Sequence, residues 1–503
     1  MPAKAHPFLR ATAVLLAALA LIWPAAINGQ PFFHPDTLGY VRGPDVAAMK
    51  LLGPRFASPW ATLDPGAAVK AHQAGGAAAP GGHAYDDKEV LGGRSIYYGV
   101  LADLGARTGG FWLTVLVQAL AVAWLVEIVL RGLGLVSLRA YAGVMAVLIL
   151  ASPAAFFASF LMPDVWAGVA IAALAALFAL RGRLRLLDIA ALSAMTVFAA
   201  LAHTSVAPVL LVLMAGAGGL WLLDRRRSAP VLGLAVGSAA VAAAFAGGAA
   251  FTAMVEHTVG APPVTPPFLT ARVVADGPGT RFAQAGCGGQ AFVVCRYAGR
   301  LPLDVDHFLW GQTDRDGVFQ TASPADRRAL GEEQARFALA AVRAYPMDQA
   351  RASLANAIRQ VGDSDISDFD YKPSLRQTFI QSLPAETVRA MAHSRAFAEA
   401  WPVEALWGLQ TAVMGALVLA AAALMLRRPS GSGRERRALD FLALIVVGVL
   451  ANAGVCGVLS SVNGRYEARV IWCAPLALAA WLMLRLQSRA EREAALGLAG
   501  SEA

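Results

Sequence analysis

Apolar runs about twenty residues long, separated by short arginine-bearing tracts, set the pattern of this chain. The first covers about residues 9–27. Six more lie at about 109–130, 140–161, 166–180, 186–203, 207–223 and 230–254, and a last three at about 402–426, 440–461 and 468–486. A helix rises about 1.5 Å per residue, so each run is near the ~20 residues that a bilayer core demands. The pattern predicts an all-α polytopic membrane protein of about ten transmembrane helices. It divides into a seven-helix module over 1–254, a soluble insert over 255–401, three C-terminal spans over 402–486 and a tail over 487–503.

Two stretches interrupt this pattern. The loop 28–108 has helical apolar spacing at its ends, in DVAAMKLLG and EVLGGRSIYYGVLADLGA, which suits helices lying along the membrane surface. Its middle, GAAVKAHQAGGAAAPGGHA (66–84), is low-complexity sequence that reads as a mobile loop. The insert reads as mostly helical. Ser323 before Pro324 and Asp326 marks a helix start, and Met347, Ala350, Leu354, Ile358 and Val361 recur on one helical face. AFVVCRYAG (291–299) reads as a strand or hairpin.

Composition agrees with a membrane class. Hydrophobic residues are 57% of the 503 and charged residues 15%, against roughly 25% charged in soluble domains. The net charge of +8 does not point to nucleic acid, because the arginines sit between apolar runs. Arg131 and Arg139, then Arg181, Arg183 and Arg185, then Arg225, Arg226 and Arg227 fall in alternate loops, on the side of Lys4 and Arg10. Arg427, Arg428, Arg434, Arg436 and Arg437 repeat the sign after the insert. By the positive-inside rule both termini are cytoplasmic, and the loop 28–108 and the insert are external. The first run reads as an uncleaved anchor, since no clear small-x-small site precedes Gln30; a cleaved signal peptide is the other reading. Cys287 and Cys295, both in the insert, suit a disulfide, which needs an oxidising compartment.

The ionisable groups on the external side are then few: Asp36, Arg94, Asp164, His203, Arg465 and Arg469, with Glu404 beside the insert. Arg465 and Arg469 break the orientation rule, and such charges usually have a pairing or functional reason. A carboxylate with several cations at a bilayer surface suits transfer from a lipid phosphate, the acid taking a proton and the guanidinium groups holding the phosphate. Each residue also has a plainer reading. Asp36 and Asp164 suit helix caps, and His203 a hydrogen-bonded histidine at a helix end. Arg465 and Arg469 suit pairing with Glu467 or headgroups, and Glu127 an ion pair with Arg131.

The order of these features resembles the GT-C membrane glycosyltransferases, especially protein O-mannosyltransferase-like and aminoarabinose lipid A transferase-like members. Asp36-Thr37-Leu38-Gly39-Tyr40 stands where those carry an acid and a tyrosine after the first span. Arg94-Ser95-Ile96-Tyr97-Tyr98, Pro163-Asp164, Leu201-Ala202-His203-Thr204 and Arg465-Tyr466 follow in order, His203 standing where lysine is usual and Thr37 where a second acid is. The resemblance covers residues 1 to about 254 and 402–486.

It implies a GT-C-like fold and an inverting glycosyltransferase of a bacterial cytoplasmic membrane, with its active site facing the periplasm. The donor would be a polyprenyl-phosphate-linked sugar and the acceptor an envelope lipid, glycan or protein. Asp36 would be the base; Arg94, His203, Arg465 and Arg469 would hold phosphate. Asp164 would position the acceptor or a divalent ion, and Tyr40 and Tyr466 would shape the cavity. Whether a divalent cation takes part is left open, as are a transporter of lipid-linked saccharide and a non-catalytic envelope-assembly protein.

Overall fold

The computed structural model describes residues 7–63, 90–225, 229–425 and 433–501, with side chains through Arg489. Lys4, the stretch 66–84, Arg226, Arg227, Arg427 and Arg428 lie outside the described residues. Regular structure among the described residues is helical, and the isolated bridges Phe32 with Phe160 and Leu91 with Val264 are its β pairing.

The first apolar run forms α1 (Pro7–Leu21) and α2 (Trp23–Asn28), which break at Ile22 because Pro24 has no N–H to continue the ladder. α3 (Thr37–Leu52) and α4 (Ile96–Arg107) come from the long loop. They pack so closely that a Cβ on Gly99 would strike the Tyr40 carbonyl. α5 (Trp112–Leu133) follows whole. The expected single span 140–161 is instead α6 (Leu138–Ala151) and α7 (Ala154–Ala158). Ser152, which precedes Pro153, is driven to φ −144°, ψ 162°, and that ends α6.

α8 (Asp164–Ala179), α9 (Leu186–Ala202), α10 (Val206–Leu223) and α11 (Val231–Val259) complete the N-terminal module. The insert holds α12 (Phe268–Ala275), α13 (Pro278–Gln284), α14 (Val305–Trp310), α15 (Pro324–Ala344), α16 (Pro346–Gly362), α17 (Pro373–Ser382) and α18 (Ala385–Met391). α19 (Val403–Met425), α20 (Gly433–Leu459), α21 (Gly464–Ile471) and α22 (Cys473–Ser501) end the chain.

Among the described residues six helical segments are long and apolar enough to cross a bilayer: α5, α10, α11, α19, α20 and the α21–α22 segment through Arg489. The chain is a helical, multi-pass membrane protein. α1, α6, α8 and α9 are equally apolar but shorter. α8 is apolar all round and buried along its whole length except Ala179, so it is the centre of the bundle, packed by α5, α9, α10, α20 and α21.

The two ends of this bundle differ. At one, Arg131 bridges Asp188 at 2.7 Å and Glu127 at 3.1 Å, and Arg10 joins Glu127 at 2.8 Å. Arg485 and Glu435 pair at the foot of α20, which begins seven residues before the expected span because this first charged turn is already helical. The other end carries α3, α4 and the insert.

The insert is built in two parts. Phe282, Phe292, Phe308, Phe319, Leu330 and Phe337 form a core of their own. Phe369, Tyr371 and Trp401 instead join the core of the membrane module, with Phe369 and Trp401 packing on Phe32 and Phe156.

The strand or hairpin expected at 291–299 is not formed; Val293–Arg300 coils into 3-10 turns. The Glu333 carboxylate accepts the N–H groups of Val293 and Val294 at 2.9 and 3.0 Å, which satisfies donors that a strand would have paired across a sheet. The Cys287–Cys295 disulfide closes the same turn, with Cα atoms 6.3 Å apart. Ser323 caps α15 by accepting the Asp326 N–H at 3.1 Å.

Candidate functional site

The end of the bundle that bears the insert gathers a cluster of charged and aromatic side chains from seven separate parts of the chain. Its frame is a backbone lacing: Phe32 N–H donates to Ser159 O at 3.0 Å and Leu161 N–H to Phe32 O at 2.9 Å. The hydroxyl of Thr37 donates to Leu161 O at 3.2 Å. These bonds tie the segment bearing Asp36 to the segment that ends at Asp164.

Asp36 stands at the N-cap position of α3 but makes no capping hydrogen bond. Its carboxylate goes to the Arg94 guanidinium instead. Arg94 is placed by Ser95, which caps α4 by accepting from the Tyr97 and Tyr98 N–H groups and donates its hydroxyl to Leu201 O at 2.7 Å. The Asp36 N–H donates to His34 Nδ1 at 3.2 Å. Burial alone would raise the Asp36 pKa; Arg94, His34 and Arg465 outweigh it and hold the carboxyl below the usual range. Burial, then Arg465, lowers His34 to about 4, so at neutral pH its ring is uncharged and serves as an acceptor.

Asp164 is the first residue of α8, with Pro163 at the cap position, and no cap hydrogen bond from its side chain is formed. The carboxylate instead lies 3.5 Å from Arg469 Nη1 and 3.8 Å from Arg465 Nε. Both arginines stand one turn apart on α21, whose N-terminus is capped by Asn463 accepting the Arg465 N–H at 3.0 Å. Asp164, and not Glu467, is therefore the carboxylate the two arginines share, and Arg465 also reaches Asp368; Glu467 accepts from Asn452 Nδ2 at 3.1 Å.

The two arginines differ in how well they are satisfied. Arg469 is fully buried and donates to Ser205 Oγ at 2.8 Å, Asn452 Oδ1 at 3.2 Å and His203 Nε2 at 3.1 Å. A guanidinium only donates, so His203 Nε2 accepts; Nδ1 lies 2.9 Å from Ser205 Oγ and 3.2 Å from the Ser205 N–H. His203 is thus a neutral prop for Arg469 and not a replacement for a lysine cation. Arg465 is less well satisfied, although Arg469 Nε is also buried without a hydrogen-bond partner. Its Nε and Nη1 atoms are buried and have no hydrogen-bond partner, and its nearest acids, Asp164 and Asp368, are 3.8 and 3.6 Å away. One Asp164 oxygen, Oδ2, is likewise buried without a partner.

Aromatic rings wall the cluster. Tyr466 lies under both guanidinium groups, 5.4 Å from Arg465 Cζ and 5.1 Å from Arg469 Cζ. Tyr40 packs edge-on to Tyr98 at 5.1 Å, and Trp310 of the insert faces Arg94 at 5.9 Å. The acid side is the more open one: Asp36 and Arg94 each keep 24% of their side-chain surface and Arg465 keeps 10%. Glu404 is exposed in the first turn of α19.

The structure brings together all eight residues picked from the sequence: Asp36, Tyr40, Arg94, Asp164, His203, Arg465, Tyr466 and Arg469. It adds His34, Ser205, Asn452, Trp310 and Asp368, which sequence reasoning missed. His34 and Asp368 had a visible signal, the first in the HPDT tetrapeptide and the second in the acid-rich run DSDISDFD (363–370). Asn452 was a lone amide in an apolar run. Trp310 had none, because the insert core alone decides where it points. Among the described residues no three His, Cys, Asp or Glu side chains gather as metal ligands. The three acids of the cluster, Asp36, Asp164 and Asp368, each face a guanidinium group.

In comparisons with known proteins, no family model, curated protein or solved structure matches this chain.

Proposed function

We propose that the protein is an inverting membrane glycosyltransferase of GT-C type, with about ten spans and both termini cytoplasmic. Its substrate is a sugar carried on polyprenyl phosphate, and its site faces the periplasm of a bacterial cell. The observation that carries the reading is Arg465. Two buried guanidinium N–H donors without an acceptor cost roughly 1–3 kcal/mol each, and an anionic oxygen between Arg465 and Arg94 would satisfy them. A phosphate on a lipid chain is the anion that a site at the end of a membrane bundle would meet.

The step follows from that placement. The acceptor hydroxyl gives its proton to the Asp36 carboxylate while its oxygen bonds to the anomeric carbon, on the face opposite the phosphate. The bond from that carbon to the phosphate oxygen breaks, and the electron pair leaves with the polyprenyl phosphate. Arg465 and Arg94 stabilise the charge gathering there. Before substrate binds, Arg94 occupies Asp36; a donor phosphate that draws Arg94 away raises the basicity of Asp36 at the moment a base is needed. Arg469, His203, Ser205 and Asn452 fix Asp164 and α21 behind it.

The test is turnover by the purified full-length protein on lipid extracts containing polyprenyl-phosphate sugars, followed by mass spectrometry of the released polyprenyl phosphate. Asp36→Asn should lower turnover by about 10²–10⁴-fold. Full turnover in that variant would sink the assignment.

A further inference from the structure

α16 (Pro346–Gly362) has its polarity inside out. The side chains it buries are Gln349, Asn356 and Gln360, and each donates a hydrogen bond within the protein. Gln349 and Asn356 donate to Asp276 at 2.7 Å, and Gln360 donates to Asn463 O at 2.9 Å. The side chains it leaves out are apolar: Met347 is 65% exposed, Leu354 63%, Ile358 64% and Val361 46%. At 100° per residue these four fall within about 60° of one another, a continuous stripe on one side of the helix. Arg351 and Arg359, both exposed, border it on one flank only.

A helix bathed in water turns the other way, so the surroundings of this stripe are apolar. Its place in the fold says which apolar surroundings. α16 crosses α20, a membrane-crossing helix, so closely at Gly457 that an added Cβ would lie 2.8 Å from Asn356 O. α20 itself exposes Val446, Leu450 and Leu459, the last only two residues from the crossing. The stripe therefore continues the lipid-facing surface of α20 at its end.

We infer that α16 is an in-plane membrane helix, with Met347, Leu354, Ile358 and Val361 sunk among the acyl chains of the leaflet nearest the insert and Arg351 at the headgroups. The helix leads into the turn that carries Asp368 to within 3.6 Å of Arg465. The inference does not rest on the transferase reading, since it uses only the faces of α16 and its crossing with α20.

The experiment places a nitroxide spin label in turn at Met347→Cys, Leu354→Cys, Ile358→Cys and, as an aqueous reference on α15, Arg336→Cys, which is exposed. The full-length protein is reconstituted in phosphatidylethanolamine and phosphatidylglycerol vesicles, with the unsubstituted chain as the labelling blank. Collision of each label with oxygen, which partitions into lipid, is compared with collision with a water-soluble nickel chelate. Labels at 347, 354 and 358 should favour oxygen over the chelate several-fold more than the label at 336. The inference fails if the chelate reaches them as freely as it reaches 336. It fails equally if both reagents are excluded, because a protein partner and not lipid then covers the stripe. Three independent positions keep the test open should one variant misfold.

Discussion

Arg465 and His34 show how single residues define the site. An arginine that is buried, held over Tyr466 and left with two donors that reach acids only at 3.6 and 3.8 Å, without a hydrogen bond, is poised for an anion. His34 makes the acid side sensitive to protons. Its folded pKa of about 4 lies below the ordinary 6.5, so between those values the unfolded chain binds a proton that the folded chain does not. Stability therefore rises with pH from about 4 to 6.5 and is lost as pH falls through that window. Thermal unfolding of the wild type should show a melting temperature that drops across it, and in His34→Asn the drop should be shallower. An unchanged pH profile in the variant would contradict the buried neutral ring.

Elements explain which parts of the chain could be read in advance. The long apolar runs were legible because period and length decide a membrane helix almost alone, and α5, α10 and α19 stand close to where the runs place them. The start of α15 was legible from Ser323 for the same local reason. Ser323→Ala should cost about 1 kcal/mol of insert stability, read as an earlier denaturant midpoint for proteolysis at α15 in the full-length protein. What could not be read was set by distant partners. The 3-10 coil at Val293–Arg300 depends on Glu333, forty residues away, and the break at Ser152-Pro153 turned one span into two helices. The exposed side of the Met347–Val361 stripe depended on Asp276 and Asn463, which claim the opposite face of α16.

At the scale of the whole molecule, α8 is the axis. Being apolar on every side it must be enclosed, and its enclosure by α5, α9, α10, α20 and α21 sets Asp164 opposite α21. The α2–α3 segment and the insert then close on the same end, with Phe33 N–H donating to the Tyr371 hydroxyl at 2.6 Å. The side chains that meet there were legible as candidates because charges are scarce along this chain. Their pairing was not, since the sequence offered the arginines Glu467 or headgroups and the fold gives them Asp164.

Binding of polyprenyl phosphate to the full-length protein, followed by native mass spectrometry, tests this arrangement most directly. The wild type and Asp36→Asn should retain the lipid phosphate alike, while Arg465→Gln should weaken its binding by at least about tenfold, the loss of roughly one charge-assisted hydrogen bond. Equal retention by Arg465→Gln and the wild type would contradict the account.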